Sequence, residues 1–162
     1  MRKSLEAISL AALAFIFWIT WQALYGAEQL PARIAVHFDM AGNPNGWDSP
    51  TSLPELPIVA VAIYLLMTLV ARFPSAFKYP VEVTEENRPR LEALNLDLIA
   101  WMKMEMVCLF AWIQWVIIEM ARRGRGDPSF LALLLVFLVA LFGTIIWFTM
   151  AMRRAAQAGS DT

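Results

Sequence analysis

Apolar and polar positions in this chain are segregated into long blocks. Four blocks are almost wholly apolar, at about positions 7–25, 56–71, 98–118 and 130–152, and charged or turn-forming residues bound each of them. An α-helix rises about 1.5 Å per residue, so roughly 20 residues cross a hydrocarbon layer about 30 Å thick. The first, third and fourth blocks meet that length. The second meets it if its helix starts with Ser49 as N-cap and Pro50 in the first helical position, with Pro54 and Pro57 kinking its first turns. The third lengthens on its amino-terminal side, because Leu91, Leu94 and Leu98 continue at helical spacing behind an Asn87 cap and Pro89. The pattern predicts helices at 7–25, 50–72, 91–121 and 128–152, intervals at 26–49 and 73–90, and a polar, disordered tail at 153–162. That is an all-α membrane protein: four transmembrane helices in one integral domain.

The interval 26–49 changes period. From Arg33 to Met40, residues Ile34, Val36, Phe38 and Met40 fall on one side, and Arg33, Ala35, His37 and Asp39 on the other, as in a short half-buried strand. Gly42, Asn43, Pro44, Asn45 and Gly46 then favour a chain reversal that brings Trp47 back beside the strand. An apolar face of this kind must be covered by the ends of the chain's own helices, by the headgroup layer or by a partner. The loop is therefore expected to be ordered. By contrast, the segment 74–84 reads as extended chain lying along the membrane surface.

Composition strengthens the membrane assignment: 59% of the 162 residues are hydrophobic and 17% charged, with mean hydropathy +0.56. Arg2 and Lys3 precede the first block as in a secretion signal. The block is too long for one, however, and Tyr25-Gly26-Ala27 lacks the small residue required before a cleavage point, so it is read as a retained span. With the amino terminus inside, the inner side carries Arg2, Lys3, Arg72, Lys78, Arg88, Arg90, Arg153 and Arg154, and the outer side Arg33, Arg122, Arg123 and Arg125. This bias places both termini in the cytoplasm and the interval 26–49 outside, with the basic turn at 122–125 dissenting. The outer loop holds Glu28, Asp39, Asp48 and Glu55 against Arg33, a balance that favours a cationic visitor. Nucleic acid has no footprint here, and the single cysteine, Cys108, reads as a small buried apolar residue.

Chemistry is confined to two places. In the third helix, Lys103, Glu105, Gln114 and Glu119 interrupt an apolar background. At 100° per residue, Glu92, Lys103 and Gln114 share one line and Glu105, Trp112 and Glu119 another, roughly opposite, so no single polar seam faces one pore. Lys103 is near enough to the inner boundary for its ammonium to reach back to the headgroups. Glu105 is deeper, and needs a partner from another helix, a proton or a wet cavity. In the loop, His37 and Asp39 point the same way and are weak metal candidates together with Glu28, Asp48 or Glu55. A zinc site wants three or four ligands, and the plainer expectation is a hydrogen-bonded pair near Arg33. No nucleophile and base pair, metalloprotease motif or phosphate loop is present, so no enzymatic activity and no cofactor is expected.

Leu30-Pro31, Arg33-Ile34, His37-Phe38, Gly42, Pro44, Gly46-Trp47 and Ser49, with Pro57 further on at the head of an apolar helix, resemble the small bacterial membrane domain of unknown function that opens the SdpI-type immunity proteins. The resemblance covers about residues 7–73. Ala35 stands where that family commonly has proline and Pro50 where lysine is common, and the chain beyond Phe73 is unlike the second half of the immunity proteins. The chain reads as a short four-helix relative. The resemblance implies a multi-pass protein of the bacterial inner membrane whose outer loop, with Arg33, His37, Asp39, Gly42, Gly46, Trp47 and Ser49, recognises a peptide, toxin or envelope ligand. The alternatives are a small transporter that uses Glu105 as a proton or cation relay, and a non-catalytic assembly subunit. Expected partners are the lipid bilayer, a peptide or protein on the outer side, and a second copy of the chain.

Overall fold

The computed structural model describes residues 1–28, 30–39, 43–124, 126 and 129–157. Helices α1 (Arg2–Tyr25), α3 (Arg88–Arg123) and α4 (Phe130–Gln157) are long and apolar enough to cross a membrane. So is α2 (Glu55–Val70) when counted with the turn before it, Pro50–Val70. Between α1 and α2 lies a two-stranded antiparallel sheet, β1 (Ile34–Phe38) and β2 (Pro44–Asp48). The chain is thus a largely helical membrane protein with a small hairpin.

The central helix is α3, which packs against α1, α2 and α4. Its charged first turns project beyond its apolar stretch and organise the end of the bundle that holds both chain termini. There Arg2 Nε meets Asp97 Oδ1 at 2.5 Å and Arg2 Nη2 donates to Ala93 O at 2.9 Å, which fixes α1 as helical from Arg2 rather than from position 7. Leu91 is buried against Met152 and Ala155, so α4 continues to Gln157 instead of ending at Arg153 in a disordered tail. The start of α3 falls where its cap and proline put it. Asn87 Oδ1 accepts from Thr84 N at 2.9 Å, Thr84 Oγ1 accepts from Asn87 N at 3.2 Å, and Asn87 Nδ2 donates to Glu82 O at 3.0 Å.

The opposite end carries the hairpin, and there the expectations need correction. The stretch 50–72 is not one kinked helix. Ser49 caps a short 3-10 turn, Pro50–Ser52, and the α-helix restarts at Glu55 with Pro54 as its N-cap. Pro57 is then in the first helical turn, where a missing N–H leaves no hydrogen bond unmade. Pro44 and Gly46 belong to a second strand rather than to the reversal. Met40, Gly42, Arg125, Pro128 and residues 158–162, all named in the expectations, lie outside the described residues.

Candidate functional site

The hairpin is closed by one side chain. Asp39 N donates to Asn43 O at 2.9 Å, and the Asp39 carboxylate accepts from Asn43 N at 2.8 Å and Asn43 Nδ2 at 3.2 Å. From that clasp, Phe38 pairs with Pro44, His37 with Gly46, Ala35 with Trp47 and Ile34 with Asp48, the register slipping on either side of His37. The slip sets the imidazole directly over Gly46. A Cβ at position 46 would lie 2.8 Å from His37 Cβ and 2.9 Å from its Cδ2, so glycine is needed for close approach rather than for an unusual φ.

The ends of the chain's own helices cover the apolar face of the hairpin. Ile34 is 1% exposed and packs in one cluster with Ile19 and Ala23 of α1, Leu53, and Ile118 and Ala121 of α3. Phe38 meets Phe130 of α4 at 5.3 Å between ring centroids, and Arg122 Nε reaches Glu28 Oε2 at 3.5 Å. Burial of this apolar surface, at about 25 cal/mol per Å2, holds the strands against the bundle.

Docking in this way leaves a cavity of about 240 Å3 on either side of the strands. The first is mainly apolar, with Ile34, Ala35, Met120 and Ala121 below and Arg33 and Trp47 at its mouth. Arg33 Nη2 donates to Trp47 O at 3.5 Å, and Trp47 is exposed. The second is more polar than the first: His37 of β1, Asp48 of β2, Ser52, Glu55 at the start of α2 and Gln114 of α3 line it, among Val36, Leu53, Leu56 and Ile117. Gln114 is only 1% exposed, and its Nε2 donates to Thr20 Oγ1 at 2.8 Å and Leu53 O at 3.0 Å. Thr20 Oγ1 already donates to Ile16 O at 2.7 Å, so both partners of the Gln114 amide are acceptors and its nitrogen must be the atom facing them. Gln114 Oε1 accepts no hydrogen bond among the described residues.

His37 shares its cavity with two acids, Asp48 and Glu55. The Asp39 carboxylate accepts from Asn43. Among the described residues no three His, Cys, Asp or Glu side chains stand close enough to hold a metal ion. Ser49 is a cap: its Oγ accepts from Thr51 N at 3.3 Å and from Thr51 Oγ1 at 3.0 Å.

Within the helices, the two polar lines of α3 serve two different neighbours. Lys103 faces α1 and α2. It is 7% exposed, with Nζ 2.5 Å from Glu6 Oε2, 3.1 Å from Thr68 Oγ1 and 4.7 Å from the centre of the Tyr64 ring. Tyr64 in turn donates to Glu6 Oε1. Glu105 faces α4, where Thr144 Oγ1 donates to its Oε1 at 2.6 Å, while its buried Oε2 has no hydrogen-bond partner among the described residues. Trp112 lies on the same side and stacks on Phe130 at 5.5 Å. Glu119 pairs with Arg123 one turn on, at 2.8 Å. Sequence reasoning missed Glu6, Thr20, Tyr64 and Thr68. The available signal was an unpaired acid, Glu6, one turn past Arg2, to be matched with an unpaired Lys103 a similar distance past Asp97.

Residues 10–61, about a third of the chain, match the family described as a domain of unknown function, DUF1648. The match runs from α1 through the hairpin into α2, and so includes both strands and four of the five polar residues that line the second cavity. No curated protein and no solved structure matches the chain.

Proposed function

We propose that this chain is a binding or sensing protein of the bacterial inner membrane, of the SdpI-like immunity type, which takes a peptide, toxin or envelope ligand at its hairpin end. The observation that carries the reading is the hairpin docked on three helix ends with a cavity on either side, a concave surface built from four separate elements. The distribution of Lys and Arg supports an orientation with this surface outside the cell: Arg2, Lys3, Arg72, Lys78, Arg88, Arg90, Arg153 and Arg154 gather at the terminal end. In this reading the inner segment from Lys78 to Leu94, at the end where α3 leaves the membrane, passes the bound state on. A second reading, proton or cation transport, is favoured by the buried and unpartnered Oε2 of Glu105.

The two readings separate in one experiment. Cells with and without the chain are exposed to a panel of membrane-active peptides. Binding predicts that the chain raises the lethal concentration of at least one peptide, that Gly46→Val abolishes the protection at unchanged membrane level, and that Glu105→Gln retains it. Protection lost in Glu105→Gln and kept in Gly46→Val would move the function into the helices and overturn the binding site. Absence of protection against every peptide would remove the immunity reading.

A further inference from the structure

We infer that the cavity beneath His37 receives a primary ammonium, the side chain of a lysine carried by the ligand; this rests on the binding role proposed above. The walls offer acceptors and no cationic donor: the carboxylates of Asp48 and Glu55, the imidazole of His37 and the carbonyl oxygen of Gln114. The single basic residue of the hairpin, Arg33, lines the opposite cavity. Gln114 is the telling member. On a side chain 1% exposed, the amide nitrogen is fully used and the oxygen accepts nothing among the described residues, which leaves it as an acceptor open to the cavity. Glu55 likewise makes no hydrogen bond or ion pair among the described residues, and Asp48 spends one oxygen on Ser49 N at 2.7 Å.

Size and spacing narrow the visitor. About 240 Å3 is below the roughly 300–1,000 Å3 of sites for whole small molecules, and suits one inserted side chain. A metal ion would need three of the His, Asp and Glu groups together, which the described residues do not offer, whereas an ammonium is served by Gln114 Oε1 and one or two of the other acceptors. Acceptors arriving from β1, β2, α2 and α3 suit the three rotatable donors of an ammonium better than the planar fork of a guanidinium. The apolar stem would lie against Val36 and Ile117.

His37 is the sole histidine, so its ring signals report the cavity without assignment. The full chain, labelled with 13C-histidine in lipid nanodiscs, is titrated with N-acetyl-lysine methylamide, with the neutral isostere N-acetyl-norleucine methylamide and with Zn2+. A saturable shift with the lysine compound, at least tenfold weaker with norleucine, weakened about fivefold or more by Glu55→Gln and unchanged by Arg33→Gln, is the expected result. Equal responses to lysine and norleucine would overturn the ammonium and leave the cavity a binding site. A response to Zn2+ alone would overturn it in favour of a metal. No response to any of the three would also overturn it, and the peptide-protection result would then decide the binding role independently.

Discussion

Lys103 places an ammonium inside α3 and satisfies it from two other helices, through Glu6 at 2.5 Å and Thr68 at 3.1 Å. The two members are not equivalent: the Glu6 side chain is 38% exposed and keeps water without Lys103, whereas losing Glu6 leaves the 8% exposed Lys103 ammonium with only Thr68 and the Tyr64 ring. We therefore expect Glu6→Gln to destabilise the protein by about 1–3 kcal/mol and Lys103→Met by less, with the double variant recovering part of the summed loss. Thermal unfolding in detergent, monitored by tryptophan fluorescence, measures this, and strict additivity would show that the pair is not coupled. At this scale the sequence was half informative. It showed that Lys103 and Gln114 share a face, since eleven residues make almost three turns, but not what that face meets. Glu6 lies ahead of the first apolar block and so looks like an interface residue; only the packing of α1 on α3 brings it to Lys103. His37 shows the same limit. Period 2 placed it on one side with Asp39 but did not show the slip in register that sets it over Gly46, in a cavity shared with Asp48 and Glu55.

Among the elements, long periodic helices were legible and short irregular ones were not. Pro44 and Gly46 are turn formers by composition, and Pro54 and Pro57 look like kinks. Each is tolerated because tertiary contacts decide: the hairpin buries Ile34 and Ala35, and α2 restarts so that its prolines sit in a first turn. Between α2 and α3 the extended reading of 74–84 holds only after a 3-10 turn at Pro74–Ala76, and Asn87 stands at the N-cap position with its side chain turned back to Thr84 and Glu82 rather than to α3. The segment is pinned at Asn87 and at Tyr79, whose hydroxyl donates to Pro74 O at 3.0 Å. Asn87→Ala removes the bonds to Thr84 N and Glu82 O, at about 1 kcal/mol each, so trypsin should cut at Lys78 roughly tenfold faster or more in the variant. An unchanged rate would show that apolar packing alone holds the segment. Tyr79 adds a pH dependence. Burial, helped by the Glu92 carboxylate and opposed by Arg88, raises its pKa above the ordinary tyrosine value. A raised pKa means that folding favours the neutral phenol. This stability is fully present below about pH 10 and is lost as the pH climbs through the folded-state value. The thermal midpoint of the protein should fall in that alkaline window, and Tyr79→Phe, which cannot ionise, should lessen the fall.

For the whole molecule, four spans force both termini to one end and the hairpin to the other, and the ion pairs Arg2–Asp97 and Arg122–Glu28 mark those two ends. The helix count could be read from block lengths alone. The division of labour among the helices could not: α1, α2 and α3 share the buried polar groups, while the most apolar stretch of α4 has none of its residues buried within the molecule. Hydropathy reports what a helix avoids, water, and does not tell lipid from protein. Which end faces outward is set by the basic residues, and it controls every proposal about an external ligand. In a Cys108→Ala background, Asn45→Cys on β2 and Glu86→Cys before α3 place one exposed thiol at each end. A membrane-impermeant maleimide applied to intact cells should label Asn45→Cys strongly and Glu86→Cys only after the membrane is opened. The reverse pattern would put the acidic cavity in the cytoplasm, where a lysine-bearing envelope peptide could not reach it, and would turn the basic end outward. The positive charge at 122–125 makes the experiment a real contest. That turn, at the hairpin end, opposes the orientation set by the rest, and labelling shows whether the larger basic cluster at the terminal end prevails.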